Sequence, residues 1–399
     1  MLVLNLRLNL KFEPMKTFRT VIFWMHLVAG VAAGIVVLIM SITGVALTYE
    51  KQMLEWADRR AWSAPSPVGV RHLPPETLLA QVAAAQPGAA PTGVTLRAHP
   101  AALATVTLEG NASLLVDPYT GAIIGQPPVA LRSFFRTMTA WHRYLALDGT
   151  SRAMGKAITG AANLTFLFIV ISGLYLWWPR VRTWLQFRNA LWFRRGLPSK
   201  ARDFNWHNVI GFWSAVPLAI VVAGAVPISY PWAGNLVYRL AGEPPPVPGG
   251  GSVRPSVKPE PGSGLGLNAA WHRAQERTPE WRTIAVRLSA ADRPLTLTVD
   301  EGYGGQPQQR ETLTISRATG DITRVDAFGD LSPGRRARSW LRFTHTGEFY
   351  GLAGQTVAGL VSAGAVLLVY TGLALAWRRL VSWIGRRGQR GAVEHARAA

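Results

Sequence analysis

Four histidines lie in or shortly before long uncharged segments of this chain, where an ionisable side chain is costly unless it has a partner or a function. His26 and His207 lie a few residues inside two such segments, and His142 and His345 precede two others. A neutral imidazole offers a nitrogen lone pair to a metal ion or to the iron of haem. These residues therefore indicate metal or haem chemistry near the ends of apolar helices.

The composition is typical of a membrane protein. Of 399 residues, 49% are hydrophobic and 16% are charged, against roughly 25% charged residues in soluble proteins. The absence of cysteine excludes disulfides, iron–sulfur clusters and catalytic thiols. Four uncharged runs each exceed the ~20 residues that cross a bilayer: Thr20–Tyr49, Ala157–Pro179, Phe204–Tyr238 and Phe349–Trp377.

The distribution of charge predicts the topology. Residues 1–20, 179–205 and 378–399 carry net charges of +3, +6 and +5, whereas the longer segments 50–152 and 231–350 carry only +2 and +3. The positive-inside rule places the short basic segments in the cytoplasm and the long segments outside. Both termini are then cytoplasmic. The net charge of +20 is a topology signal, and nucleic-acid binding is not expected.

The apolar runs divide the chain into nine predicted segments. They are a cytoplasmic tail (1–17), a first transmembrane helix (18–49), an outer segment (50–152), a second helix (153–178), a basic cytoplasmic loop (179–205), a third helix (206–232), a second outer segment (233–350), a fourth helix (351–377) and a basic cytoplasmic tail (378–399).

Each outer segment has the pattern of a small α+β unit. A helix is predicted at Pro74–Ala85 in the first and at Leu267–Arg277 in the second, and boundary helices at Leu131–Leu147 and Arg335–Phe343 follow the units. Glu243–Gly266, rich in proline and glycine, indicates a linker. The predicted strands are Gly93–Ala98, Ala104–Glu109, Ser113–Asp117, Trp281–Leu288, Leu295–Asp300 and Glu311–Ser316. The predicted fold class is an α-helical integral membrane protein with a four-helix bundle and two small α+β units.

The two halves of the chain match as a repeat. His26 precedes a glycine by four residues, and so does His207, 181 positions later. His142 matches His345, and both halves run in the same direction through the predicted membrane. This is a parallel repeat about an axis along the membrane normal. Such an axis places His26 opposite His207 at the inner side and His142 opposite His345 at the outer side.

Two opposed imidazoles in an apolar bundle are suited to a b-type haem, which needs two axial ligands and a flat apolar slot. The sequence thus predicts two haems b, one held by His26 and His207 and one by His142 and His345. A second interpretation is a zinc or iron site built from histidine alone, since the apolar runs contain no Asp or Glu that could serve as a further metal ligand. A structural network of polar side chains is a third.

Arginines cluster around the outer histidines. One interpretation is that these arginines reach towards lipid headgroups and have no specific ligand. The other is that they pair with haem propionates or an anionic substrate, with Arg143 and Arg342 as the cofactor-binding candidates. The predicted collar consists of Arg132, Arg136, Arg143, Arg335, Arg336, Arg338 and Arg342.

Several motifs together resemble the PepSY-associated transmembrane family, including its FoxB- and PiuB-like siderophore-iron reductases. They are HxxxG in the first and third helices, WHRYL before the second helix, HTGEFYG before the fourth, and GLYLWWPR and GLALAWRR at the ends of the second and fourth. The resemblance extends from about Met15 over nearly the whole chain. It implies PepSY-like domains in the periplasm and a haem-containing reductase of the bacterial inner membrane, with His26, His142, His207 and His345 as haem ligands.

The expected function is one-electron reduction of a periplasmic ferric siderophore. Fe(II) is held less tightly than Fe(III) by siderophore oxygens, so reduction releases it. The electron would enter at the haem of His26 and His207, from quinol or a protein donor, and leave from the other. No side chain is assigned a catalytic role. The alternatives are a non-enzymatic membrane anchor whose PepSY-like units bind peptides or regulate a protease, and an electron-transfer subunit of another oxidoreductase.

Overall fold

The computed structural model describes residues 2–60, 71–88, 90–178, 183–246, 266–288, 293–303 and 305–398. The side chains of residues 2–16 and 387–398 are not part of that description. Most of the predicted linker at 243–266 and the start of the basic loop at 179–182 lie outside the described residues. The chain divides into two compact units. The membrane unit comprises residues 1–48, 137–230 and 356–399, and the sheet unit comprises residues 49–136 and 231–355.

The described part of the chain forms helices α1 (Leu2–Leu47), α2 (Glu50–Arg60), α3 (Pro75–Ala85), α4 (Val129–Tyr144), α5 (Arg152–Trp177), α6 (Trp184–Leu191), α7 (Ser199–Ser229), α8 (Pro231–Leu240), α9 (Leu267–Arg277), α10 (Pro333–His345) and α11 (Gly351–Ala398). Its strands are β1 (Pro91–Arg97), β2 (Ala104–Leu108), β3 (Ser113–Val116), β4 (Ile123–Gly125), β5 (Thr283–Arg287), β6 (Leu295–Asp300), β7 (Arg310–Ile315) and β8 (Ile322–Ala327).

Among the described residues, four helices are long and apolar enough to cross a membrane. Their spans are Thr17–Leu47, Gly149–Trp177, Ser199–Ser229 and Glu348–Arg386, which confirms the four predicted apolar helices. The third helix begins at Ser199, earlier than predicted, and the fourth continues to Ala398. Pro217 and Pro227 lie inside the third helix, as membrane helices allow.

Small residues let the spanning helices approach one another closely. A Cβ added at Gly34 of α1 would lie 3.2 Å from a methyl carbon of Leu373 in α11. A Cβ added at Gly364 of α11 would lie 3.3 Å from a methyl carbon of Ile210 in α7. Phe166 of α5 packs against apolar clusters on both sides. The membrane unit is therefore a bundle in which α5 and α11 each contact α1 and α7.

A buried carboxylate ties α7 to α11. Asp203 is 1% exposed, and its oxygens accept from Arg202 at 3.0 Å and from Arg378 at 2.7 Å. A charge so deeply buried is stable only because both oxygens are paired. This pairing explains why α7 continues through a charged turn that lies outside the predicted helix.

The eight described strands form one antiparallel sheet in the order β4-β3-β2-β1-β5-β6-β7-β8. The sequence analysis predicted two separate units, whereas in the structure β1 pairs with β5 and Val94 lies opposite Val286. This pairing removes two exposed edges, each of which would leave backbone groups without partners. Strands β4 and β8 were absent from the prediction and form the edges of the sheet.

One face of the sheet carries the core of this unit. The strands present alternating buried residues, as in β2 and β6, and α3 and α9 cover that face with Leu78, Val82 and Trp271. The period-two pattern that predicted the strands is therefore the pattern of burial.

Carboxylates fix the boundary helices within the sheet unit. Asp58 of α2 accepts two hydrogen bonds from the Arg132 guanidinium, at 2.9 and 2.8 Å. Glu243 accepts from the Ser332 hydroxyl at 2.7 Å and from the Gly334 backbone N–H at 3.1 Å. A carboxylate at the N-terminus of α10 satisfies helix donors that have no partner within the helix.

Candidate functional site

His26 of α1 is anchored to α5 through its ring nitrogen Nδ1. Nδ1 lies 2.9 Å from Oγ of Ser172, and Ser172 donates its own proton to the carbonyl of Ile169 at 3.2 Å. Because a hydroxyl has a single proton, Ser172 then accepts the hydrogen bond from Nδ1–H. The imidazole also approaches Gly173, where an added Cβ would lie 3.2 Å from ring carbon Cε1. This arrangement leaves the Nε2 lone pair of His26 available.

His207 of α7 is held by α11 in the same way. Its Nδ1 lies 2.9 Å from Oγ1 of Thr371, and Thr371 donates to the carbonyl of Leu367 at 2.7 Å. A hydrogen bond to the backbone of Leu368 adds a second contact. A Cβ added at Gly372 would lie 3.3 Å from Cε1 of His207. The sequence Ser172-Gly173 thus has the same role at His26 as Thr371-Gly372 at His207.

His142, from the end of α4, makes the third contact of this kind. Its Nδ1 lies 3.0 Å from Oγ1 of Thr43 and 2.9 Å from the carbonyl oxygen of Met40, both in α1. A carbonyl can only accept, so Nδ1 carries the proton. A Cβ added at Gly44 would lie 3.5 Å from Cε1 of His142. His142 therefore has the same tautomer as His26 and His207.

The three contacts have one chemical consequence. When Nδ1–H is held by a hydroxyl or a carbonyl, the opposite nitrogen keeps its lone pair and the ring has a fixed orientation, as is usual for histidines that bind a metal. Next to Gly30, one turn beyond His26, an added Cβ would find no atom within 4 Å. The helix surface on that side of His26 is open.

Haem and a bare metal ion require different sets of ligands from the protein. In the part of the chain that the structure describes, no group of three or more His, Cys, Asp and Glu side chains could hold a metal ion. Haem brings four nitrogen ligands of its own and requires only axial imidazoles from the protein. Isolated, pre-oriented histidines on apolar helices meet that requirement.

His26 of α1 and His207 of α7 both belong to the membrane unit, and their pairing around one haem stays a prediction. His142 belongs to the membrane unit, whereas His345 ends α10 in the sheet unit. The pairing of His142 with His345 stays a prediction.

The predicted arginine collar is only partly available for a ligand. Arg143 is exposed at the end of α4, with its guanidinium carbon 5.3 Å from the centre of the Tyr144 ring. Arg342 is exposed on α10, 5.4 Å from the Phe343 ring. Arg132 is different, because both of its terminal nitrogens are bonded to Asp58. That ion pair corrects the prediction that Arg132 belongs to the collar.

Within the sheet unit, the charges of Lys51 and Glu348 both act on Glu50. Burial raises the pKa of Glu50, Lys51 opposes this effect, and Glu348 adds to it. Lys51 itself contacts Glu348 at 2.6 Å. Because burial outweighs the attraction of Lys51, Glu50 keeps its proton to a higher pH than an exposed glutamate does.

The sequence analysis missed the residues that anchor the histidines. Ser172, Thr371 and Thr43 are ordinary small polar residues in apolar helices, and serine and threonine commonly bond to the carbonyl four residues earlier in the same helix. A usable signal was present, since each of the three hydroxyl residues stands directly before a glycine.

The fold and these contacts define a helical membrane protein in which three histidines, in or beside its spanning helices, have Nδ1 held by a neighbouring hydroxyl group. A family profile, PepSY-associated TM region, matches residues 23–379, and the chain belongs to this family. The matched residues include all four predicted ligand histidines, and the match confirms the resemblance to the PepSY-associated transmembrane family. The resemblance to its FoxB- and PiuB-like members stays a prediction. A search of curated proteins found no match to the chain.

Proposed function

We propose that this protein is a di-haem b electron-transfer protein of the bacterial inner membrane that reduces ferric siderophores in the periplasm. The observation that carries the proposal is the repeated anchoring of Nδ1 at His26, His142 and His207. A structural histidine needs no particular nitrogen free, whereas an axial ligand needs one lone pair and a fixed ring plane.

His26 and His207 would hold one haem, and His142 and His345 would hold the other. When bound by these histidines, haem would supply a one-electron redox couple. The chain's own part is to keep Nε2 deprotonated through Ser172, Thr371 and Thr43, and to surround the ligands with apolar helices. Arg143 and Arg342 would neutralise propionates or an anionic substrate.

The topology forms part of the proposal. Both termini and the basic loop at 179–205 would be cytoplasmic, and segments 50–152 and 233–350 would be periplasmic PepSY-like domains. The excess of basic residues in the short segments supports this orientation. The equivalent contacts of His26 with Ser172 and of His207 with Thr371 support a parallel internal repeat.

The proposed reaction adds one electron to Fe(III) in a siderophore and yields Fe(II). Hard oxygen ligands hold the trivalent ion more tightly than the softer divalent ion, so reduction releases iron. Quinol or a protein would supply the electron. A protein with this activity would belong with the FoxB- and PiuB-like reductases of the family.

The test is reduction of a ferric siderophore by the purified protein in proteoliposomes, with an Fe(II) chelator to report release. We expect His26→Ala and His207→Ala to abolish reduction, and His272→Ala, an exposed histidine of α9, to leave it unchanged. Reduction at the normal rate by haem-free protein would contradict the proposal.

A further inference from the structure

Four side chains at the corner between α4 and α5 form a cationic cluster within the membrane unit: Arg143, Tyr144, Arg152 and Lys156. We propose that this corner binds an oxyanion, either a phosphate or a carboxylate group, directly beside His142. The binding site follows from the geometry alone. The further step, that an anionic electron acceptor can occupy it, rests on the proposed function.

Two guanidinium groups surround the Tyr144 ring. The central carbon of Arg152 lies 4.2 Å from the ring centre, and that of Arg143 lies 5.3 Å away. Lys156 follows Arg152 by four residues on the same face of α5, and the charges of Arg143, Arg152 and Lys156 all act on the Tyr144 hydroxyl. Three positive charges thus converge on one aromatic ring.

The backbone beneath the cluster is fixed. Thr159 is buried and donates its hydroxyl proton to the carbonyl of Arg143 at 2.9 Å. Gly155 is also buried, and an added Cβ there would collide with the carbonyl of Tyr144. The chain then turns through Leu145 and Ala146, whose φ angles of 52° and 56° are unusual for residues other than glycine. Residues held in such conformations cluster at functional sites.

The cluster contains cations that have no ion-pair partner among the residues described by the structure. Other arginines of the chain have carboxylate partners, such as Arg277 with Glu311 and Arg310 with Asp300. Among the described residues, no carboxylate forms an ion pair with Arg143, Arg152 or Lys156. A concentration of unpaired cations on a fixed backbone is suited to an external anion.

The chemistry of the groups defines the ligand class. Planar guanidinium groups bind phosphate and carboxylate through paired hydrogen bonds, and lysine adds a point charge. The ligand could be the phosphodiester of an anionic lipid or an oxyanion of a soluble molecule. Arg143 follows His142 directly in the chain, so a soluble acceptor bound here would lie next to a proposed haem ligand.

The test compares Arg152→Gln/Lys156→Gln with a control, Arg273→Gln/Arg287→Gln, which removes two exposed arginines of the sheet unit. Each oxidised protein is placed in phosphatidylcholine nanodiscs, without an electron donor. Ferric citrate binding is measured by microscale thermophoresis, and preference for spin-labelled phosphatidylglycerol over phosphatidylcholine by electron paramagnetic resonance.

We expect Arg152→Gln/Lys156→Gln to lower the affinity for ferric citrate, the preference for phosphatidylglycerol, or both, by about tenfold. The control variant should show neither change. Loss of lipid preference alone identifies a lipid headgroup, and loss of citrate binding identifies a soluble oxyanion. If neither measurement changes in the cluster variant, the proposed site is wrong. The same measurements on haem-free protein separate the two proposals, because this site should bind its anion whether or not haem is present.

Discussion

Nδ1 of His207 lies 2.9 Å from the hydroxyl oxygen of Thr371, and Thr371 directs its own proton to a helix carbonyl at 2.7 Å. The imidazole donates to the hydroxyl and the hydroxyl donates to the carbonyl, so the ring proton lies on Nδ1. His26 and His142 show the same order with Ser172 and Thr43. In each case a neighbouring helix determines which nitrogen can bind a metal.

Removal of the Thr371 hydroxyl tests this anchoring. Thr371→Val keeps the volume and the branching but leaves Nδ1–H of His207 without its side-chain acceptor. We expect haem affinity to fall about 10–100-fold, as is usual when the partner of a ligand histidine is lost. Titration of the haem-free protein with haem measures this change.

The controls for that experiment come from the same helix. Thr371→Ser keeps the hydroxyl and should retain near-normal affinity. Ser382→Ala removes a hydroxyl that bonds only to the Arg378 carbonyl and should have no effect. Equal losses in Thr371→Val and Ser382→Ala would show that the hydroxyl of Thr371 has no specific role.

The space beside the imidazoles predicts a steric effect at Gly173. A Cβ added there would lie 3.2 Å from Cε1 of His26, so alanine requires a small shift of the ring and valine a large one. We expect Gly173→Val to convert the inner haem from low-spin to high-spin, as seen in the absorption spectrum. Gly385, with nothing within 4 Å, provides the matched control. An unchanged spectrum in Gly173→Val would contradict the predicted ligand position.

The ion pair between Asp58 and Arg132 predicts a loss of stability. The carboxylate is 9% exposed and the arginine 29% exposed, with two hydrogen bonds between them. Asp58→Asn should lower the free energy of unfolding by about 1–3 kcal/mol, the range for hydrogen bonds to charged groups. Thermal unfolding of both single variants and the double variant measures the coupling. Strictly additive losses would show that the two residues do not act as a pair.

Glu50 predicts a dependence of stability on pH. Burial raises its pKa above the usual value of 4.5, so the folded protein retains this proton at a pH where the unfolded chain has lost it. The free energy of unfolding therefore falls as pH rises from about 4.5 through the raised pKa. Glu50→Gln should be more stable than the wild type at pH 7, with the difference vanishing near pH 4. Glu109→Gln, on an exposed turn, should show neither effect.

The absence of cysteine allows a clean test of topology. A single cysteine at Glu109 should react with a membrane-impermeant maleimide in cells whose outer membrane has been permeabilised. A single cysteine at Arg195 should react only after lysis, because the basic loop is predicted to be cytoplasmic. The reverse pattern would invert the orientation, and with it the side on which iron is reduced.

The sequence predicted the spanning helices correctly and drew attention to the candidate ligand histidines, because both depend on local patterns. An uncharged run of sufficient length has few alternatives to a membrane helix, and His26 and His207 stand out within such runs. The start of α7 was placed too late because the uncharged run begins only at Phe204, after several charged residues. Asp203 pairs with its chain neighbour Arg202 and with Arg378 of α11, and only the structure shows the contact with Arg378.

The pairing of the strands and the hydroxyl residues that bind the histidines could not be predicted from local patterns. The pairing of Val94 with Val286 joins distant parts of the chain, and neither strand identifies its partner. Edge strand β8 lacks the alternating apolar pattern because Arg324 and Asp326 face solvent. The role of Ser172 depends on which histidine faces it across a helix interface, and the pattern of one helix does not contain that information.

The most direct test of the central claim is the absorption spectrum of the detergent-purified protein, oxidised and then reduced with dithionite. Two haems with paired imidazole ligands should give a sharp α-band on reduction, and His26→Ala should remove about half of it. A protein that stays colourless after reconstitution with haem would contradict the account. It would instead favour the alternative of a membrane-anchored binding protein.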